Sequence, residues 1–202
     1  MTDKERLFVN KKGLKAISSW LAVLLCLLAL AGCSHMSDAE KKVSNELKAL
    51  QASETVGSEV VNLRNSLSDE GQDHFDGFLY KLRDFDFEIT GSEEDESKDD
   101  DHTLVSVRIK TYDFGKEYLA VWTEFLRSHE DGLSEDDLID FYELLFARLD
   151  ALDEKSCIKN LKIVCIDPLD NGEWIAGIKD NEELQDAIFG GMLSEMKMLA
   201  AE

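Results

Sequence analysis

Twelve apolar residues follow one another without a break from Trp20 to Ala31. Such a run has no polar stripe, so it cannot be an amphipathic helix lying on a core. As a helix it is ~18 Å long against a bilayer core of about 30 Å, too short to span a membrane comfortably. Lys4, Arg6, Lys11, Lys12 and Lys15 precede it, and small residues ending in a cysteine follow it. Basic, then apolar, then small is the order of an exported leader rather than of a retained membrane helix.

The tetrapeptide Leu30-Ala31-Gly32-Cys33 resembles a bacterial lipobox. The resemblance implies cleavage between Gly32 and Cys33 and a diacylglycerol on the Cys33 thiol. The chain is then expected to divide into a cleaved signal helix (1–32), a lipidated tether (33–37) and one folded domain (38–202). The covalent lipid on Cys33 is the only prosthetic group this reading contains. It places the domain at the cell membrane, facing outside the cytoplasm and held to the lipid bilayer by its acyl anchor. A single acyl chain holds a protein marginally and two hold it stably.

Charge narrows the partners. The full chain carries −21, and its first 32 residues hold five basic and two acidic side chains, which leaves the remainder near −24. Nucleic acid is excluded, because phosphate binding needs clustered Lys and Arg. An anionic membrane surface repels the same charge, so lipid rather than electrostatics does the anchoring. Solubility is the simplest use of such acidity. A basic peptide or protein, or a small-molecule ligand, is the partner class it favours.

Cys157 and Cys165 remain once Cys26 leaves with the leader and Cys33 is acylated. They sit eight apart in "CIKNLKIVC". On a straight strand that is about 26 Å, whereas a disulfide needs Cα atoms within about 7 Å. Two separate thiols acting as small hydrophobes are expected.

Along the domain the apolar period changes several times. Val43, Leu47 and Leu50, then Val56, Val60, Leu63 and Leu67, then Phe75, Phe78, Leu79 and Leu82 recur at helical spacing. At Phe85 the period becomes two: Phe87 and Ile89 alternate with polar residues, and Gly91 is expected to end the strand. The acidic stretch 92–101 reads as a solvated loop without the EF-hand spacing of Ca²⁺ ligands. Val105, Val107 and Ile109 form the returning strand. Helices follow on Tyr118, Leu119, Trp122, Phe125 and Leu126, and on Leu138, Phe141, Tyr142, Leu145, Leu149 and Leu152. A Ser134/Asp137 capping box opens the latter helix. Leu161, Ile163 and Cys165 give a third strand. A turn at Asp170-Asn171-Gly172 leads into "EWIAGI" as its return, and Asp180 and Glu183 cap a last helix that ends at Gly190-Gly191. The fold class expected is α+β: helices packed on one face of a curved antiparallel sheet made of two hairpins.

The runs "FDFEITG", "LVSVRIKTYDFGK" and "LKIVCIDPLDNGEWIAGIKDNEELQDAIFGG", with the acidic gap between the first two, resemble small lipoproteins of Gram-positive bacteria. These form uncharacterised families with a cystatin-like or NTF2-like fold. The recurring pieces are Tyr112-Asp113, Gly172-Glu173-Trp174 and Gly190-Gly191, and the similarity spans Asp69 to Met192. It implies a fold and an address, with no reaction and no catalytic residue. It also implies a cone-shaped cavity under the sheet, with Tyr118, Trp122, Phe125 and Trp174 as the expected lining.

Chemistry leaves few marks. The histidines are His35, His74, His102 and His129, no two of them at i, i+4, and neither HExxH nor CxxC occurs, so no metal site is expected. No G-x-S-x-G elbow or Gly-rich phosphate loop is present. A His74–Asp113 dyad inside the cavity is the one acid–base pair worth weighing. The expectation is a membrane-anchored, non-catalytic binding module. The alternative is a small extracytoplasmic enzyme using the same cavity.

Overall fold

Alternating strands need a partner surface for their apolar face, and the first long helix supplies it. The computed structural model describes residues 36–53, 58–96, 102–128, 135–167 and 172–201. The chain divides into two units, Met1–Met36 and Ser37–Glu202, and every described helix and strand belongs to the second. The leader, the lipobox residues Leu30 to Cys33, Val56, His129, Ser134 and residues 168–171 lie outside the described residues.

The elements in order are α1 (Asp38–Ala52), α2 (Ser58–Ser66), α3 (Asp69–Arg83), β1 (Asp86–Glu94) and β2 (His102–Thr111). Then come α4 (Phe114–Ser128), α5 (Glu135–Asp150), β3 (Cys157–Ile166), β4 (Ile175–Ala176), α6 (Glu182–Ile188) and α7 (Met192–Leu199). The four strands form one antiparallel sheet in the order β1-β2-β3-β4. This is the α+β architecture expected. Its two hairpins join side by side through the β2–β3 pairing.

One face of the sheet is apolar. Ile89 pairs with Val107 and Val107 with Leu161, while Val105 pairs with Ile163. Ala39, Val43 and Leu47 of α1, with Leu184 and Ala187 of α6, cover that face and complete the first core cluster. The opposite face is mixed: the pair Leu104–Val164 and the residues Ile158, Ile166 and Ile175 share it with polar side chains. There Glu88, Arg108 and Asn160 stand in one row. Arg108 donates to Glu88 at 2.8 Å and to Asn160 at 3.3 Å.

A second cluster holds the remaining helices together. Phe141 lies 5.3 Å from Trp122 and 5.2 Å from Phe125, ring centre to ring centre. Phe146 sits edge-on to Phe75 at 4.7 Å, and Phe78 edge-on to Phe114 at 5.3 Å. Leu145, Leu149, Val121 and Met192 fill the space around these rings.

Several expectations are corrected. Gly91 does not end β1. It follows a bulge, with φ at 151°, and the strand continues to Glu94. The extra residue reverses the alternation beyond it. Ser92 therefore points to the helix side, where its hydroxyl donates to Glu40 at 3.0 Å, and residues 92–94 of the acidic stretch are strand rather than loop. The return strand at "EWIAGI" shrinks to Ile175–Ala176. The cap of α6 is Asn181, whose side chain accepts the Leu184 amide, rather than Asp180. The glycine pair is not the end of the fold, because Gly191 opens α7. Leu50, Leu119, Leu126 and Leu138 face outward.

Candidate functional site

Helix α1 is fixed before it reaches any groove. Ser37 accepts the Glu40 amide at 3.2 Å and Glu40 accepts the Ser37 amide at 2.8 Å, a complete capping box. Its buried stripe holds the sheet. An adjacent stripe, Asp38, Lys41, Lys42, Asn45, Glu46 and Ala49, follows the three-and-four spacing of a helix face. It faces Gly172, Glu173 and Trp174 across an open groove of about 470 Å³. That volume falls in the range of small-ligand pockets, about 300–1,000 Å³. Trp174 forms one wall, half-buried with its other side packed on the first core cluster.

The groove's chemistry is one of recognition. Lys41 pairs with Asp38 at 2.8 Å and Lys42 with Glu46 at 3.0 Å. Glu173 adds an exposed carboxylate beside the indole. Lys41 and Lys42 answer Asp38 and Glu46, so what suits a cationic or amphipathic ligand is the indole face with Glu173. Among the described residues the lining contains no histidine, cysteine or serine.

The four residues expected to share one cavity are divided. Tyr118, Trp122 and Phe125 gather around Phe141, at 6.2, 5.3 and 5.2 Å. Burial pushes the Tyr118 phenol up, and nearby Tyr142 adds to it. Trp174 belongs to the other cluster and lines the α1 groove.

The histidine dyad changes partner. His74 Nδ1 is 3.0 Å from Asp150 Oδ2, joining α3 to α5. Asp113 instead caps α4, accepting the Lys116 amide at 3.2 Å. The reason is topological: α3 and α5 pack together, which brings residues 76 positions apart side by side. Among the described residues no group of three or more His, Cys, Asp or Glu side chains is arranged to hold a metal ion.

A polar node with no signal in the sequence lies where α3, β1 and β2 meet. The Lys155 ammonium is 2.9 Å from Asp84 and 3.0 Å from Asp86, and the Tyr112 hydroxyl donates to Asp84 at 2.9 Å. Burial pulls the Asp84 carboxyl upward, but hydrogen bonds from Lys155 and Tyr112 outweigh it and hold it below the usual range.

The two cysteines are both free, with Cys165 buried and Cys157 half-buried. Burial pushes the Cys165 thiol up to about 11, with Lys42 opposing.

The fold and groove define an α+β domain with an aromatic-walled surface groove. No family model matches the chain, and no curated protein does. Among solved structures it is similar to a Bacillus subtilis protein, ycdA, proposed to be a lipoprotein, with 14% identity and a TM-score of 0.43. The alignment covers 79% of this chain and 57% of that one, so this chain spans little more than half that protein's length.

Proposed function

We propose that the chain is a lipid-anchored extracytoplasmic binding module that captures a cationic or amphipathic ligand in the α1–Trp174 groove. The observation that carries the reading is the ordered leader: five basic residues, twelve apolar residues, then Leu-Ala-Gly-Cys ending at Cys33. The start of the fold supports it. A capping box fixes the start of α1 at Ser37, four residues after Cys33 in the sequence. Among the described residues no helix is long and apolar enough to cross a membrane.

The groove is the binding half of the reading. Glu173 beside an indole, on a domain near −24, favours a basic peptide over an anionic ligand, and salt should weaken such binding. The enzyme alternative needs a proton acceptor poised against a nucleophile, and the titratable lining consists of Asp38, Lys41, Lys42, Glu46 and Glu173.

Labelled palmitate fed to producing cells tests the anchor. It enters the wild-type chain and not Cys33→Ala; equal labelling of both refutes acylation at Cys33. An oligolysine peptide, titrated while Trp emission is followed, tests the groove. The response disappears in Trp174→Phe and fades with added salt; an unchanged response in that variant refutes the site.

A further inference from the structure

Helix α2 lies on the domain without sinking into it. None of its residues is buried, although Val60 and Leu63 pack in part on the second core cluster. One guanidinium ties it down. Arg64 makes a two-pronged bond with Asp76 of α3, at 2.8 and 2.7 Å, and donates to Gln72 at 2.8 Å. These bonds hold the end of α2 that leads into α3. Towards the other end, an open groove of about 410 Å³ separates Val60 and Val61 from Leu79 and Arg83. Phe75, Leu79 and Arg83 recur every four residues, so they form one stripe along α3, ~12 Å from first to last. Phe75 is a fixed floor, buried and edge-on to Phe146.

The charges of this groove run against those of the chain. Arg64 and Asp76 answer each other. Arg83 is half-buried, and among the described residues no acceptor meets its guanidinium. The lining is thus apolar along its length, with one unanswered cation at an end. Two other grooves have the opposite balance. The α1–Trp174 groove sets Asp38, Glu46 and Glu173 against Lys41 and Lys42, and the groove between α6 and α7 sets Glu182, Glu183 and Asp186 against Lys197. A cation in the last turn of α3 complements the helix dipole. That accounts for the charge but not for the apolar stripe that leads to it.

We infer that the α2–α3 groove binds a straight-chain fatty acid. Its carboxylate sits on the Arg83 guanidinium, whose paired N–H donors match two carboxylate oxygens. Its alkyl chain lies along Leu79, Val60 and Val61 over the Phe75 ring, and a stripe of ~12 Å suits a chain of medium length. Helix α2, with no buried residue, yields at its Val60 end while Arg64 holds the other, and the chain enters there. This site is independent of the acyl anchor and of the α1–Trp174 groove, which attracts the opposite charge.

The test uses the chain as its producing cells make it. Decanoate with a diazirine at its tail is added and activated by light, and the attached residues are mapped by peptide mass. Attachment should fall within α2 and α3. Free decanoate should displace the probe, whereas decanol and decylammonium, with the same chain and a different head, should not. Arg83→Gln should weaken labelling about tenfold or more, as the loss of a charge-assisted bond does, and Arg83→Lys should keep part of it. Val61 is 41% exposed, so Val61→Trp fills the groove from the surface and should abolish labelling. Trp174→Phe should leave it unchanged. Absence of attachment to both helices, equal labelling of wild type and Arg83→Gln, or displacement by decanol as strong as by decanoate overturns the site. Loss of labelling in Trp174→Phe would place the fatty acid in the α1 groove and overturn it as well.

Discussion

The Gly115 amide donates to the Gly190 carbonyl oxygen at 3.1 Å, so the first turn of α4 lies directly on the glycine pair between α6 and α7. Neither side has room for a side chain. A Cβ on Gly115 would come within 2.8 Å of the Gly191 carbonyl carbon, and one on Gly190 would strike the Tyr112 carbonyl oxygen. Gly190 also has φ of 56°. The Gly190-Gly191 pair and the Tyr112-Asp113 pair, which the sequence presents as separate recurring pieces, are two halves of one backbone contact.

Gly190→Ala should therefore cost about 3 kcal/mol, from overpacking added to backbone strain. Gly91→Ala shares a positive φ but has nothing within 4 Å of the added carbon, so it should cost only about 1–2 kcal/mol. Urea denaturation of both variants checks the order. Equal losses would show that backbone conformation, not the α4 contact, governs the glycine pair.

Lys155→Met opens the polar node and leaves Asp84 and Asp86 without their shared cation. A loss of about 1.5–3 kcal/mol is expected near neutral pH, the usual range for a hydrogen bond to a charged group. Tyr112→Phe should cost about 1 kcal/mol. The pH dependence has a definite sign. The folded Asp84 carboxyl is held below its unfolded value, so its contribution is complete above about pH 4 and fades as pH falls through the folded value. Lys155 is pulled down by burial but raised on balance by Asp84 and Asp86, so its contribution is complete below about pH 10 and fades above its folded value. The gap between wild type and Lys155→Met should thus be widest between these limits. A gap of the same size at pH 3 and pH 7 would contradict the node.

Phe141→Ala removes the ring around which Tyr118, Trp122 and Phe125 are arranged. The side chain is buried, and the expected loss is about 3–5 kcal/mol. Leu138→Ala, one turn earlier and 41% exposed, should stay within about 0.5 kcal/mol. If the two losses match, the aromatic cluster is not what holds α4 to α5.

Thiol titration reports on the fold and the anchor at once. In the native protein at pH 8, Cys165 should not react with a disulfide reagent, and Cys157 should react slowly. Burial raises both thiols, with Asp113 and Asp186 adding at Cys157 against Lys159. On the proposed acylation of Cys33, the mature chain in denaturant should show these two thiols and no third. A third reactive thiol would mean an unacylated chain, and a native mass two hydrogen atoms lighter would mean a Cys157–Cys165 disulfide.

The central strands were legible because period two is a local property. Val105, Val107 and Ile109, like Leu161, Ile163 and Cys165, show it whatever they pair with, and all six are buried. The helical faces around Phe75, Tyr118 and Phe141 were legible for the same reason at period 3.6. The bulge before Gly91 was not, because the alternation resumes in the opposite sense over acidic residues that carry no apolar signal. Helix α7 was hidden because, of its own residues, only Met192 is buried, and a glycine pair normally reads as a stop.

The candidate groove was only partly legible. Trp174 stood out as an aromatic beside a turn, but its α1 partners are ordinary helix-surface residues. Nothing local joins position 174 to positions 38–49.

By itself the sequence determined the acidity, the central strands, the long helices and many of the residues that turn inward. Each of these depends on residues close together in the chain. The tertiary structure decided which distant residues meet: His74 with Asp150, Lys155 with Asp84, Gly115 with Gly190, and Trp174 with α1 rather than with Trp122. Those pairings come from how the helices and sheet dock, and docking is set by the fit of whole surfaces.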